Sequence, residues 1–490
     1  MVSTNRTPSL AEALLPIVCL VILLTINVFV FEDTLAGSNQ IALLLAATIA
    51  GIIVRRNGQK WEETNQHVVK TIGSAMPSML ILLLIGSLAG TWMISGIVPA
   101  MIYYGLEIIN PNLFLVTAVI VSALVSVATG SSWSTIATIG VALLGIGKAI
   151  GFNEPLVAGA IISGAYFGDK ISPLSDTTNL APAMAGTDLF THIQYLLFTT
   201  IPSLIITLVL FLVIGFNYEF HSSIHDIELV KVAIEEVFNT SSWLFLVPVI
   251  LFGIIIMKVP PVPSLMIGTI LGAIFAVVFQ PDLVREIAGS GMSYTKASYV
   301  SSMQAMFGDV SLSTHNENVN HLLSTSGMRG MLDTIWLILS AMVFGGIMEA
   351  GGLLSRITRP IMKMAKSTGA LVSSTVGTCI FFNATASDQY LAIVVPGRMY
   401  RKAYEDRNLK PEVLSRTLED SGTMTSVLIP WNTCGATQSR VLGVATFDYL
   451  PYCFFNLISP LMSILFAYFN IKIRRLVSRP AKAETQNEAI

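Results

Sequence analysis

Long apolar runs separated by short polar segments dominate this chain from residue 13 onward. Most are long enough to cross the roughly 30 Å hydrocarbon core of a bilayer as helices of about 20 residues. The longest runs lie near residues 13–31, 38–54, 77–98, 194–215, 242–257, 262–279, 333–354 and 447–471. The pattern predicts an all-α polytopic membrane protein.

Part of this pattern occurs twice. The segment 86–204 recurs in order, although faintly, as 342–461, so that Gly90 aligns with Gly346. The offset between the copies grows by one residue along the match. Duplicated halves with interrupted apolar segments are typical of transporters whose binding site lies where the repeats meet.

Loop charges predict the orientation of the spans. The loop after the second span is basic and the loop before it is not, so the positive-inside rule places the N-terminus in the cytoplasm. The basic stretches 355–368 and 397–416 and the C-terminal tail are then cytoplasmic, and the acidic connector 217–241 is outside. With the loops on these sides of the membrane, each half must cross the bilayer an odd number of times. We therefore expect an inverted-repeat transporter with about ten transmembrane helices.

Two apolar stretches, 112–150 and 369–396, are expected to form re-entrant helical hairpins that turn at ATGSSWS and NATASD. An arm of about 17 residues reaches roughly 25 Å, which is too short to cross the bilayer core. The segments that follow, 155–186 and 412–446, are interrupted by polar residues and Pro, and are expected to be broken helices.

The resulting division has four parts, with a closing helix in each repeat at 194–215 and 447–471. The parts are the first inverted repeat 1–216, the extracytoplasmic connector 217–241, the second inverted repeat 242–471 and the cytoplasmic tail 472–490.

Irregular backbone at membrane depth must be surrounded by protein or water, so the hairpin tips and helix breaks are expected to meet and form a site. Their hydroxyl, carboxylate, amide and carbonyl oxygens suit an alkali cation rather than a transition metal. We expect Na⁺ at Asp176 and Asp388. The full set of expected ion-binding residues is Thr129, Ser131, Ser132, Ser175, Asp176, Thr177, Thr385, Ser387, Asp388, Asn432 and Thr433.

Antiport would require Na⁺ and protons to compete for the same carboxylates, because burial disfavours an ionised carboxylate and a bound cation favours it. Asp169, Asp176 and Asp388 are the candidates for proton coupling. For Asp169 the alternative is a structural ion pair with Lys170, and Glu419–Asp420 occupies the comparable stretch of the second half. Any single hydroxyl could instead satisfy a backbone carbonyl.

Arg440 lies in the second broken segment and cannot lose its charge to enter the membrane. It needs a carboxylate partner, an aqueous cavity or an anionic substrate. Asp388 and Asp420 are the favoured partners. The alternative is a bidentate grip on the carboxylate of an organic substrate.

Composition narrows the class of protein further. Hydrophobic residues make up 53% of the chain, charged residues 12%, and the formal net charge is −2, so a nucleic-acid partner is not indicated. The four cysteines show no paired spacing. The sequence also lacks a phosphate-binding Gly-Lys motif and a nucleophile–base pair. We expect no enzyme and no cofactor, with Na⁺ and H⁺ as transported ions.

The run GAYFGDKISPLSDTTNLAPAMAGTDLFTHIQYLLFTTIPS resembles the signature of the NhaC family of sodium/proton antiporters, and IPWNTCGATQSRVLGVATFDYLPYCFFNLISP resembles its C-terminal signature. The resemblance is weaker over the rest of the chain from Leu43. It implies a bacterial inner-membrane protein with an elevator-like transport domain, and a homodimer formed through the scaffold. The family also contains malate/lactate exchangers, so small carboxylates remain an alternative substrate.

Overall fold

The computed structural model describes residues 6–31, 37–108, 110–218, 224–257, 259–289, 291–311 and 324–476. Residues 219–223 of the predicted connector, 312–323 of the predicted second repeat and 477–490 of the predicted tail are among those that lie outside the described residues.

The first half of the chain is helical, with short turns of 3-10 or π geometry at Pro111–Leu113 and Ile136–Gly140. Its helices are α1 (Leu10–Val30), α2 (Ser38–Arg56), α3 (Trp61–Ile94), α4 (Ile97–Ile108), α5 (Phe114–Thr129), α6 (Ser132–Thr135), α7 (Val141–Ile150), α8 (Glu154–Ile171), α9 (Asp176–Ala185) and α10 (Leu189–Asn217).

The second half is also helical, apart from the two-residue strands β1 (Val310–Ser311) and β2 (Ser324–Thr325), which pair antiparallel. A π-helical turn at Glu419–Thr423 and 3-10 turns at Ser242–Phe245, Arg329–Met331 and Leu450–Tyr452 connect helices. The helices are α11 (Ile224–Val237), α12 (Leu246–Ile256), α13 (Pro261–Phe279), α14 (Pro281–Ala288), α15 (Tyr294–Phe307), α16 (Leu332–Ala350), α17 (Leu353–Met364), α18 (Thr368–Thr385), α19 (Gln389–Glu405), α20 (Pro411–Leu418), α21 (Met424–Ser426), α22 (Thr433–Leu442), α23 (Thr446–Tyr449) and α24 (Phe454–Tyr468).

The predicted fold class is confirmed. Within the described residues, 8 helices are long and apolar enough to cross a membrane, or up to 10 if each bent helix pair is one span. Both predicted broken helices are interrupted, α8–α9 at 172–175 and α20–α22 at 427–432. The division into two inverted repeats stays a prediction.

Two expected elements differ in detail. The closing segment 447–471 is not one straight helix, because α23 and its 3-10 turn meet α24 at 59°. Residues 61–76 were expected in a loop, but they form the beginning of α3, which continues through Pro77 for 34 residues. Glu62 and Glu63 in its first turn favour this start, because acidic side chains stabilise a helix N-terminus.

The first hairpin packs closely on the first broken helix. A Cβ added at Gly164 of α8 would lie 2.2 Å from the carbonyl oxygen of Val119 in α5, and one at Gly168 would lie 2.3 Å from that of Ala123. Small residues at one-turn spacing allow helix backbones to approach in this way. The contact leads directly to Asp169, the next residue of α8.

Candidate functional site

The tip of the first hairpin rests on the break of the first broken helix. Gly130 ends α5 in the left-handed conformation, with φ of 67°. A Cβ at this position would lie 2.7 Å from the backbone carbon of Leu174, inside the break. Ser131 then caps α6, since its Oγ accepts a hydrogen bond from the backbone N–H of Ser134 at 3.2 Å. The tip is therefore shaped by its own sequence and is held against α8–α9.

Asp169 is the first carboxylate that this arrangement positions. Its Oδ2 accepts hydrogen bonds from the backbone N–H of Ser132 at 3.1 Å and from the Ser132 hydroxyl at 2.7 Å. The residue is 9% exposed, and it borders a cavity rather than lipid. The hairpin thus supplies two donors to a carboxylate of the broken helix.

A cavity of about 370 Å³, here called the first cavity, lies beside Asp169. Asp176 begins α9 and is exposed to it, while Ser175 caps α9 by accepting from the backbone N–H of Thr178 at 3.4 Å. The expected site residues that line the first cavity are Thr129, Ser131, Asp169, Ser175, Asp176 and Thr177. Two carboxylates and several hydroxyls in one wet space are oxygen ligands suited to Na⁺.

The second hairpin reaches the same cavity through residues that the sequence analysis did not select. Gln389 and Tyr390, at the beginning of α19, line it, whereas Asp388 does not. The Asp388 carboxylate caps α19 by accepting from the backbone N–H of Leu391 at 2.9 Å. Its expected role in binding Na⁺ stays a prediction.

The other expected residues of the second half join the second hairpin to the second helix break. The backbone N–H of Thr433 donates to the carbonyl of Ser387 at 3.0 Å, and Ser387 has the left-handed φ of 59°. The Asn432 amide donates to the Asn383 carbonyl at 3.0 Å. The Thr385 hydroxyl donates to a backbone carbonyl of its own helix at 2.7 Å. These contacts hold backbone in place and lie outside the lining of the first cavity.

A buried charged pair links the two broken helices. Lys170 and Asp420 form an ion pair whose side chains are both 0% exposed. Lys170 also donates to the Ser459 hydroxyl at 2.7 Å, and Asp420 accepts from Thr199 at 3.0 Å and from Ser463. An ion pair of Lys170 with Asp169 was the alternative expected from the sequence, but in the structure Lys170 pairs with Asp420, and Asp169 accepts hydrogen bonds from Ser132.

Glu419, the residue before Asp420, is a site residue that the sequence analysis did not select. Its Oε1 accepts a hydrogen bond from the Thr177 hydroxyl at 3.0 Å, which joins the π-helical turn of the second half to the first turn of α9. The polar run EDSGTMTS within the second broken segment was the signal that could have identified it.

Arg440 lies in a different cavity, of about 500 Å³, here called the second cavity. No carboxylate of the described residues is within ion-pair distance of its guanidinium, and Asp420, one of the two favoured partners, is paired with Lys170 instead. Lys148, Glu154 and Asp309 line the same cavity. Arg440 is therefore separated from the residues of the first cavity.

Broken helices that carry buried charges beside a cavity, within a bundle of 8 to 10 apolar spans, define a membrane transporter. Residues 8–165 and 164–471 match the model of the Na⁺/H⁺ antiporter family. The chain belongs to this family.

Several characterised relatives resemble the chain over nearly its whole length. NhaC of Alkalihalophilus pseudofirmus, a Na⁺/H⁺ antiporter, is 36% identical over 89% of this chain and 91% of its own. A malate-2H⁺/Na⁺-lactate antiporter of Bacillus subtilis is 35% identical over 98% of both chains. The arginine/ornithine antiporter ArcD of Halobacterium salinarum is 33% identical over 96% of this chain and 94% of its own.

Among solved structures, Neisseria gonorrhoeae MtrF covers 95% of this chain and 96% of its own at 14% identity and a TM-score of 0.36, which is too low to carry an argument.

Proposed function

We propose that the protein is a secondary active transporter that exports Na⁺ in exchange for H⁺ across the bacterial inner membrane. The observation that carries this proposal is the first cavity, where Asp169 and Asp176 face one space beside the hydroxyls of both the hairpin tip and the helix break. The family membership and the NhaC relative support it.

The chemistry follows from the surroundings of the two carboxylates. Asp169 is almost fully buried, so its charged form depends on the donors of Ser132 and on any cation that enters the first cavity. Asp176 is exposed and lines the same cavity. A cation bound between them neutralises charge that protons otherwise neutralise, which makes Na⁺ and H⁺ alternatives for one site.

Alternating access is proposed to be elevator-like. The first and second cavities both lie between α3 and the first hairpin, with Ile81 of α3 bordering the first and Leu88 bordering the second. Sliding the hairpins and broken helices along α3 would move the ion site from the level of the first cavity towards that of the second. The loop charges support cytoplasmic N- and C-termini.

The test uses proteoliposomes that contain the purified protein and a pH-sensitive dye. Asp176→Asn and Asp169→Asn are each expected to lower Na⁺-dependent proton movement at least tenfold. Asp188→Asn is the matched control, because Asp188 caps α10 outside both cavities and Asn is an equally good cap. Normal exchange by both cavity variants would overturn the assignment.

An organic-acid exchanger is the second candidate. It is favoured by Arg440, whose guanidinium lies in the second cavity with no carboxylate of the described residues paired to it. A free guanidinium binds a carboxylate through two parallel hydrogen bonds. Adding Na⁺, malate and lactate separately to the proteoliposomes distinguishes the candidates, since a requirement for an organic acid supports the exchanger.

A further inference from the structure

A third cavity, of about 390 Å³, lies at the end of the bundle where the loop charges place the cytoplasm. It is formed by the segment before α1, the end of α2 and the junction of α16 with α17. Its lining includes Arg6, Asn57 and Arg356, and no Asp or Glu is among its described lining residues. Two guanidinium groups without a carboxylate in the lining favour an anionic ligand.

The backbone holds these segments together around the third cavity. The backbone N–H of Arg6 donates to the carbonyl of Asn57 at 3.0 Å, which joins the N-terminal segment to the end of α2. A Cβ added at Gly351 would lie 2.2 Å from Cγ2 of Val54, so α16 ends in close contact with α2. Gly352 follows in the left-handed conformation, with φ of 65°, and a Cβ there would meet nothing within 4 Å. Glycine therefore turns the chain beside open space.

Asn57 is the buried polar residue of the third cavity. It is 7% exposed, and neither the oxygen nor the nitrogen of its side-chain amide has a hydrogen-bond partner within the described part of the chain. Its backbone is satisfied, since its N–H donates to the carbonyl of Ile53 at 3.0 Å and its carbonyl accepts from Arg6. A buried amide without partners is costly in free energy. Asn57 therefore needs a polar partner that the described chain does not supply.

The two arginines of the third cavity differ in their contacts. The Arg6 guanidinium lies 3.5 Å from the Glu12 carboxylate, in an ion pair that is open to solvent and therefore weak. Arg356 is exposed, and its side chain makes no ion pair or hydrogen bond with the residues that the structure describes. A free guanidinium offers parallel N–H donors whose geometry matches the oxygens of a phosphate group. Both side chains are thus available to a ligand.

The surroundings favour a membrane lipid over a soluble anion. Helix α17 packs on α1, and its sequence contains Arg356, Arg359 and Lys363 but no acidic residue. Basic helices and basic pockets at the cytoplasmic ends of membrane spans bind the headgroups of anionic lipids. Exposed apolar side chains stand two residues along the chain from the lining, at Leu10 of α1 and Ile52 of α2. Acyl chains could run along these helices while the headgroup occupies the cavity.

We propose that the third cavity binds the phosphate group of an anionic phospholipid, with Arg6 and Arg356 contacting the phosphate oxygens and the Asn57 amide donating to the same headgroup. Only 22% of the residues in the α1 span are buried, so few protein contacts hold this helix. A lipid bound between α1, α2 and α17 would stabilise their association. The site does not depend on which ion or acid the protein transports.

The test uses the full chain purified in a neutral detergent. It is titrated separately with short-chain phosphatidylglycerol, with phosphatidylcholine of the same chain length and with inorganic phosphate. Phosphatidylglycerol is expected to raise the melting temperature of the wild type in a saturable way, because a ligand that binds only the folded state stabilises it. It should bind about tenfold or more tightly than the other two, since it alone joins a net negative headgroup to apolar chains.

Arg356→Gln tests the cavity with little risk to folding, because Arg356 is exposed. It should weaken phosphatidylglycerol binding about tenfold or more through loss of a charge-assisted hydrogen bond. Asn57→Asp keeps the shape of the amide but places a negative charge beside the phosphate, so it should weaken binding at least as much. Arg56→Gln is the matched control, because it removes the same charge from an exposed residue next to Asn57 that does not line the cavity. It should stay within about twofold of wild type.

Three results would overturn the proposal. Equal weakening by Arg356→Gln and Arg56→Gln would show that the lipid responds to overall charge and not to the third cavity. Equal binding of inorganic phosphate and phosphatidylglycerol would make a soluble anion the ligand. A wild type that shows no saturable response to phosphatidylglycerol would exclude an anionic lipid from the site.

Discussion

Lys170 of the first broken helix and Asp420 of the second form an ion pair that is completely buried. The pair joins the two elements whose breaks flank the proposed site, and hydroxyls of Thr199, Ser459 and Ser463 complete it. Removing one member of a buried pair leaves an uncompensated charge, whereas removing both does not.

We therefore expect Asp420→Asn and Lys170→Met each to destabilise the protein by about 3–5 kcal/mol. The double variant should recover more than half of the lost thermal stability, measured by unfolding in detergent. Additive losses in the double variant would show that the two charges do not depend on each other.

Ser132→Ala removes one of the two donors to Asp169. A hydrogen bond to a charged group contributes about 1.5–3 kcal/mol, so the apparent affinity for Na⁺ should change by roughly 10- to 150-fold. Ser134→Ala is the control, because Ser134 lines the same cavity without bonding to Asp169. The KM for Na⁺ in dye-quenching assays gives the comparison, and equal effects of both variants would contradict the assigned role of Ser132.

A comparison of Gly130→Ala with Gly443→Ala separates the cost of backbone strain from the cost of a steric clash of the added Cβ. Both glycines end a helix in the left-handed conformation, with φ of 67° and 68°, but an added Cβ meets Leu174 at Gly130 and nothing within 4 Å at Gly443. In both variants backbone strain should lower the free energy of unfolding by about 1–2 kcal/mol. In Gly130→Ala the overpacking against Leu174 should lower it by about 1–3 kcal/mol more. Equal melting temperatures would show that the hairpin tip can move away from the break.

Arg440→Met tests the second candidate function. If the protein carries only Na⁺ and H⁺, the rate of exchange in the absence of organic acids should stay within about twofold of wild type. The reason is that Arg440 borders the second cavity and not the first. If an organic acid is carried, its transport should fall by more than tenfold and should not return in Arg440→Lys, which lacks the bidentate fork. Radiolabelled malate and lactate uptake measures this difference.

Much of the fold follows from the pattern of the sequence. The first hairpin turn and both helix breaks occur where polar residues and Gly or Pro interrupt apolar runs, and the second hairpin turn occurs where polar residues alone do so. Such backbone cannot face lipid. The bend of 59° within 447–471 was not predicted, although its 3-10 turn at Leu450–Tyr452 contains Pro451, which interrupts a regular α-helix.

The candidate site was predictable in part. The first-half residues Thr129, Ser175 and Asp176 line one cavity together with Gln389 and Tyr390 of the second hairpin, whereas the described residues of the second helix break do not line it. The partner of Lys170 was not predictable, because pairing across more than 200 residues depends on how the two broken helices cross. Local spacing holds no information about that crossing.

The π-helical turn at Glu419–Thr423 has one more consequence. A π-helical turn contains one residue more than a turn of the α-helix around it. Each residue of an α-helix advances the rotation about the helix axis by about 100°. Deleting one residue there could restore an unbroken α-helix while turning Glu419 or Asp420 away from its partner in the first half. A shift of one residue in register at this turn would thus remove a contact between the two halves while leaving both carboxylates in the sequence.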